Sequence, residues 1–141
     1  MKRTGSAIWQ GDLKTGKGTV STESGVLSQT QYSFSTRFET GKGTNPEELV
    51  AAAHAGCFSM ALSAQLGEAG LTPEKLETMA TVTFEKVDAG WTVTNVSLKV
   101  NGKVPKADQA AWEKATQAAK TGCPISRLLN TTITMDAKLE R

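Results

Sequence analysis

The stretch NPEELVAAAHAGCFSMALSAQLGEAG, residues 45–70, decides the fold. Asn45 has the side chain of a helix N-cap, Pro46 suits the first helical position, and Glu48 falls three residues after the cap. Glu47 and Glu48 also favour the positive end of a helix dipole. The apolar run extends to about Leu66, and Gly67 and Gly70 mark its end. Nearly every position from Leu49 to Leu62 is small or apolar. The pattern predicts a helix enclosed on all sides, by other elements or by a partner chain. A helix that only fills a core needs neither His54, nor Cys57, nor the leading carboxylates, so this stretch also raises a question of chemistry.

Upstream, SAIWQ, GTVSTES and YSFSTRFE are short, rich in β-branched or aromatic residues and bounded by glycines, and read as three strands. In the third, Phe34, Thr36 and Phe38 share one face, while Arg37 lies on the polar face with Ser33, Ser35 and Glu39. Downstream, MATVTFEKV and WTVTNVSLKV alternate as a hairpin turned at Asp88-Ala89-Gly90. PKADQAAWEKATQAAKTG is an amphipathic helix closed by Gly122. CPISRLL opens a short helix with Pro124 just after Cys123, and TTITMDAKLE is a final strand. Three strands, a buried helix, a hairpin, two helices and a strand predict one α+β domain over 1–141, with a mainly antiparallel sheet.

The chain has 141 residues, 38% hydrophobic and 21% charged, enough to bury a core without disulfide staples. Net charge is +2 with both signs interspersed, which gives nucleic-acid binding no electrostatic support. MKRTGSAIWQGD has basic residues but no apolar run behind them, so it reads as neither signal peptide nor anchor. No window approaches the roughly 20 apolar residues of a membrane span. The expectation is a cytoplasmic protein with no membrane partner. GDLKTGKG, 11–18, nearly fits a phosphate-binding loop, but Gly18 replaces the hydroxyl residue and a strand follows instead of a helix. A hairpin turn explains these glycines.

Cys57 and Cys123 are the two cysteines. A permanent disulfide does not fit a reducing compartment, and two thiols fall short of a structural zinc set. They are buried free thiols or a redox pair. Cys57 sits mid-helix with His54 one turn before it. Cys123 sits where one helix ends and the next begins, a position that favours a thiolate. Taken singly, Arg37 reads as a surface arginine and Glu47 as a first-turn charge.

Together these residues carry a resemblance. TRFETGKGTNPEELVAAAHAGCFSMALS and KTGCPISRLL closely resemble the OsmC branch of the OsmC/Ohr thiol peroxidases, and STESGVLSQ and EKVDAGW match as well. The likeness runs from about Gly5 to Leu139. It implies reduction of organic hydroperoxides by two cysteines, with no metal, haem or flavin. By resemblance, Cys57 is the peroxidatic cysteine, Cys123 the resolving one, Arg37 the arginine that steadies the thiolate and Glu47 its carboxylate partner. His54 is given only a lining role. The arginine within TRFE favours the OsmC branch over Ohr. The implied fold is an intertwined homodimer with sheets wrapped around two long helices, and the implied reductant a dithiol such as a lipoylated protein.

Glu47 and Cys57 are ten residues apart, about 15 Å along an unbroken helix. Glu47 therefore cannot serve Cys57 of its own chain. An antiparallel partner helix, with the two-fold axis near Ala52, brings Glu47 of one subunit beside Cys57 of the other. Two other readings remain open. Cys57 and His54 could form a nucleophilic dyad for acyl transfer, or the chain could be a non-catalytic dimeric module with inert buried thiols.

Overall fold

The computed structural model describes residues 1–141. In chain order the elements are β1 (Gly5–Gln10), β2 (Lys17–Thr22), β3 (Thr30–Tyr32), α1 (Phe34–Phe38), α2 (Pro46–Glu68), β4 (Lys75–Val87), β5 (Gly90–Lys103), α3 (Gln109–Gly122), α4 (Pro124–Leu128) and β6 (Thr132–Glu140). The α+β class is as expected. The chain divides into two units, Met1–Leu49 and Val50–Arg141, and α2 begins in the first and continues through the second.

In the first unit, β1, β2 and β3 form an antiparallel sheet. The glycine-rich loop after β1 is a turn capped by Asp12, whose Oδ1 accepts the N–H of Lys14 and Thr15 at 3.0 and 2.9 Å. Gly18 has no side chain because none fits: a Cβ there would lie 2.5 Å from the Tyr32 ring and 2.6 Å from the Trp9 ring.

The third expected strand is mostly a helix. Only Thr30–Tyr32 is extended, and Phe34–Phe38 forms α1. A local hydrogen-bond exchange overrides the strand-like alternation. Ser33 Oγ accepts the Thr36 N–H at 3.3 Å, and Thr36 Oγ1 accepts the Ser33 N–H at 2.8 Å. This reciprocal cap nucleates a turn that β-branched and aromatic residues do not otherwise favour. Phe34 and Phe38 then meet as helical neighbours, with ring centroids 4.8 Å apart. Arg37 accordingly sits in the last turn of a helix and not on a strand.

At the start of α2 the expected cap is present: Asn45 Oδ1 accepts the Glu48 N–H at 2.8 Å. The same side chain donates through Nδ2 to the Thr36 carbonyl at 3.0 Å, which ties α1 to the first turn of α2.

In the second unit, β4 and β5 form a long antiparallel hairpin closed at Asp88-Ala89, with Gly90 at φ +115°. β6 pairs with β5 in parallel, the one parallel pairing in a fold that is otherwise antiparallel as expected. The reason is the connection: α3 and α4 lie between β5 and β6, and a helical crossover returns the chain in the same direction. The core joins Phe58, Leu62 and Leu66 of α2 to Val96, Leu98 and Val100 of β5 and Trp112, Ala115 and Ala119 of α3. Each fully buried large side chain contributes about 1.5–3 kcal/mol.

Within one chain helix α2 is covered on one side only, and in one respect it departs from expectation. Only His54, Phe58, Leu62 and Leu66 are buried, one stripe at four-residue spacing. Ala52, Ala53, Gly56, Met60, Ser63 and Ala64 are exposed. A single chain therefore does not enclose the helix on all sides. With 23 residues and an 18-residue window of mean hydropathy 1.4, it is also long and apolar enough to cross a membrane by length and composition. That corrects the statement that no window approaches such a span. Its buried stripe belongs to the core of the second unit.

Candidate active site

The four residues singled out from the sequence fall into two pairs, one in each unit. In the first, Arg37 and Glu47 form a fork. Arg37 Nη2 donates to Glu47 Oε1 at 2.8 Å, and Nε donates to the same oxygen at 3.0 Å and to Oε2 at 3.3 Å. Such multiple bonds fix the guanidinium plane as a single point charge would not. The capped turn of α1 and the Asn45 bridge hold the two residues at matching heights. The Glu47 side chain is 13% exposed and that of Arg37 37%, so the arginine keeps an accessible edge.

That edge borders a groove of about 250 Å³, walled by Trp9, Tyr32, Phe34 and Phe38. The Trp9 and Tyr32 rings lie tilted with centroids 5.5 Å apart, and the Arg37 guanidinium is 5.4 Å from the Phe38 ring centre. An apolar cavity with one cation on its wall suits a molecule with an apolar body and a polar end. Nothing in the sequence reading anticipated this groove; the two aromatic residues are 23 positions apart (32 − 9) and meet only through β-sheet pairing.

In the second unit, Cys57 of α2 and Cys123 between α3 and α4 meet with their sulfur atoms 2.7 Å apart. Both are free thiols; Cys123 is fully buried and Cys57 half-buried. Burial pushes the Cys57 thiol above its ordinary range, and the adjoining Cys123 sulfur pushes it further, while the backbone N–H of Ile125 draws it down. Pro124 occupies the first position of α4 and has no N–H to offer, so Ile125 carries the first amide that reaches the sulfur.

His54 hydrogen-bonds Ser126, not Cys57: Nε2 and Oγ are 2.7 Å apart. Its other ring nitrogen, Nδ1, is buried without a partner. Burial holds the imidazole below its usual pKa and thus neutral. This leaves the cysteine–histidine dyad without its hydrogen bond. Ser126 and the Ile125 amide were missed in the sequence, although Ser126 stands three residues after Cys123 as His54 stands three before Cys57.

Comparison with known proteins matches this architecture. The family described as OsmC-like protein matches residues 39–138. Peroxiredoxin OsmC of Escherichia coli is 56% identical over 138 residues, covering 98% of this chain and 96% of that protein. The organic hydroperoxide resistance protein OhrB of Bacillus subtilis is 31% identical over 124 residues, covering 87% and 88%. Its crystal structure superposes with a TM-score of 0.74 at 25% identity, covering 96% of this chain and 98% of that one. The chain belongs to the OsmC family.

Proposed function

We propose that this protein is a cysteine-based peroxidase that reduces organic hydroperoxides, with Cys57 peroxidatic and Cys123 resolving. The observation that carries the reading is the 2.7 Å approach of the two sulfur atoms, beside kinship with a peroxiredoxin and an organic hydroperoxide resistance protein. The Cys57 thiolate attacks the terminal peroxide oxygen. The O–O bond breaks, an S–O bond forms, and the alkoxide takes a proton and leaves as alcohol. Cys123 then condenses with the sulfenic acid, an S–S bond forms and water is lost. A dithiol, such as a lipoylated protein, reduces the disulfide by exchange.

Arg37 provides the charge that keeps the sulfur ionised against burial and stabilises the departing alkoxide. Glu47 holds its fork in place. The aromatic groove beside Arg37 takes the alkyl or aryl body of the substrate, which favours organic hydroperoxides over hydrogen peroxide. Along continuous α2, Glu47 and Cys57 stand about 15 Å apart, so the Arg37–Glu47 pair acts on Cys57 of a second copy. The exposed apolar stripe of α2 is the face on which the copies meet. A Cβ at Gly56 would touch nothing within 4 Å in the chain; the missing side chain there serves a close helix–helix approach. Both units then work as one catalytic domain in a homodimer, in the reducing cytoplasm, as part of defence against oxidative and osmotic stress.

Mass spectrometry after one equivalent of cumene hydroperoxide tests the assignment. The expected product is a Cys57–Cys123 bridge that dihydrolipoamide reverses. Two unmodified thiols after the peroxide is consumed, or a product on neither cysteine, would refute it.

A further inference from the structure

Two polar side chains in the core of the second unit have no part in the chemistry so far. His54 is wholly buried and Ser126 nearly so. They share one hydrogen bond of 2.7 Å, and His54 Nδ1 is left buried and unpaired. A leucine and an alanine would occupy this space without stranding a polar atom, and a half-satisfied buried group opposes folding. Packing alone does not account for the pair.

Position does. His54 precedes Cys57 by three residues on α2, and Ser126 follows Cys123 by three, on α4. Residues three apart on a helix are surface neighbours. The hydrogen bond therefore lies one turn from the sulfur contact and spans the same two elements. The Ile125 N–H on Cys57 is a further tie between them. Helix α4 has only five residues, too few to hold an orientation unaided, and a hydrogen bond fixes direction as apolar contact does not.

We infer that the His54–Ser126 hydrogen bond is a latch for the resolving step, holding α4 in the rotation that presents Cys123 to Cys57. Both are positioning residues; neither touches peroxide. The inference rests on the two-cysteine reading above. In the step it governs, the Cys57 S–O bond breaks, the Cys57–Cys123 bond forms, and the Cys123 thiol proton leaves with the hydroxyl as water. The peroxide of the first step is the oxidant. A sulfenic acid kept waiting meets a second peroxide and becomes sulfinic acid, so the latch also sets resistance to over-oxidation.

The two steps are measured separately in the full chain: peroxide consumption in a single turnover, and sulfenic-acid lifetime by dimedone capture. Ser126→Ala is expected to lengthen that lifetime about tenfold or more and to raise the sulfinic fraction in step. The first-step rate should stay within about twofold of wild type. His54→Leu, which fills the space without the bond, should behave alike, and Ser126→Thr, which keeps a hydroxyl, should restore the short lifetime. An unchanged lifetime in both disrupting variants overturns the latch. So does an equal slowing of both steps that Ser126→Thr shares. Cys123→Ser separates the underlying reading: no sulfenic acid at Cys57 there overturns the two-cysteine assignment itself, whereas its accumulation beside an unchanged lifetime in Ser126→Ala overturns the latch alone.

Discussion

Cys57 is held between opposing influences. Burial and a neighbouring sulfur favour the thiol, and one backbone amide favours the thiolate. On the proposed mechanism Arg37 tips the balance, so its removal should show in the pH dependence. Arg37→Ala is expected to move the rising limb of the rate profile, where Cys57 ionises, to higher pH by about one unit or more. Arg37→Lys should recover only part of the loss, because an ammonium lacks the fork that Glu47 grips. An unshifted profile would show that the arginine does not ionise the sulfur. His54 makes a second pH prediction. Its imidazole, held below the ordinary 6.5 by burial, takes up a proton less readily folded than unfolded. Stability from this group is complete above about pH 6.5 and is lost as pH falls below it, by at most about 1.4 kcal/mol per pH unit. Thermal melts between pH 5 and 8 should show this slope, and His54→Leu should remove it. At this scale the residue types were legible in the sequence, since a cysteine and a histidine in an apolar helix are conspicuous. Their partners were not. Ser126 lies 72 positions from His54, and only the fold brings it near.

Among the elements, those with local punctuation were read well. Asn45 and Pro46 announce α2, and Asp88-Ala89-Gly90 announces the turn of the long hairpin. Asp108 caps α3 through the Ala111 N–H at 2.7 Å; the sequence reading opened that helix a few residues early, at the proline. One element was misread for a physical reason. Alternation made Phe34–Phe38 look extended, yet the Ser33–Thr36 exchange outweighs it over so short a segment. The direction of β6 depends on the crossover through α3 and α4 and not on any residue within the strand. The capped turn makes a further prediction. Ser33→Ala removes one half of the reciprocal cap and should cost about 1 kcal/mol, measured by chemical denaturation. Because α1 also orients Arg37, the same variant should lower kcat/KM for cumene hydroperoxide by about tenfold, with little change in Cys57 alkylation by iodoacetamide at high pH. Full activity in that variant would show that α1 does not set the arginine.

For the whole molecule, the unresolved requirement of a single chain is the bare side of α2. Met60 is 78% exposed there, and Ala52, Ala53, Gly56 and Ala64 extend the stripe. The sequence signalled an enclosed helix, and one chain encloses only half of it; in the proposed homodimer the second copy covers the rest. Gly56→Leu should leave the monomer folded, since a side chain there meets nothing within 4 Å, but should shift the species seen by light scattering from dimer to monomer and abolish peroxidase activity. The central claim is that the cation and the sulfur of each site come from different copies. Mixing Arg37→Ala with Cys57→Ser by co-refolding tests it most directly, at a neutral pH where Arg37→Ala alone is expected to keep little activity and Cys57→Ser none. A mixed dimer then contains one intact site, Arg37 from the Cys57→Ser chain beside Cys57 from the Arg37→Ala chain. With random pairing, about a quarter of wild-type peroxidase activity is expected. Mixed dimers that form and remain inactive would contradict the account.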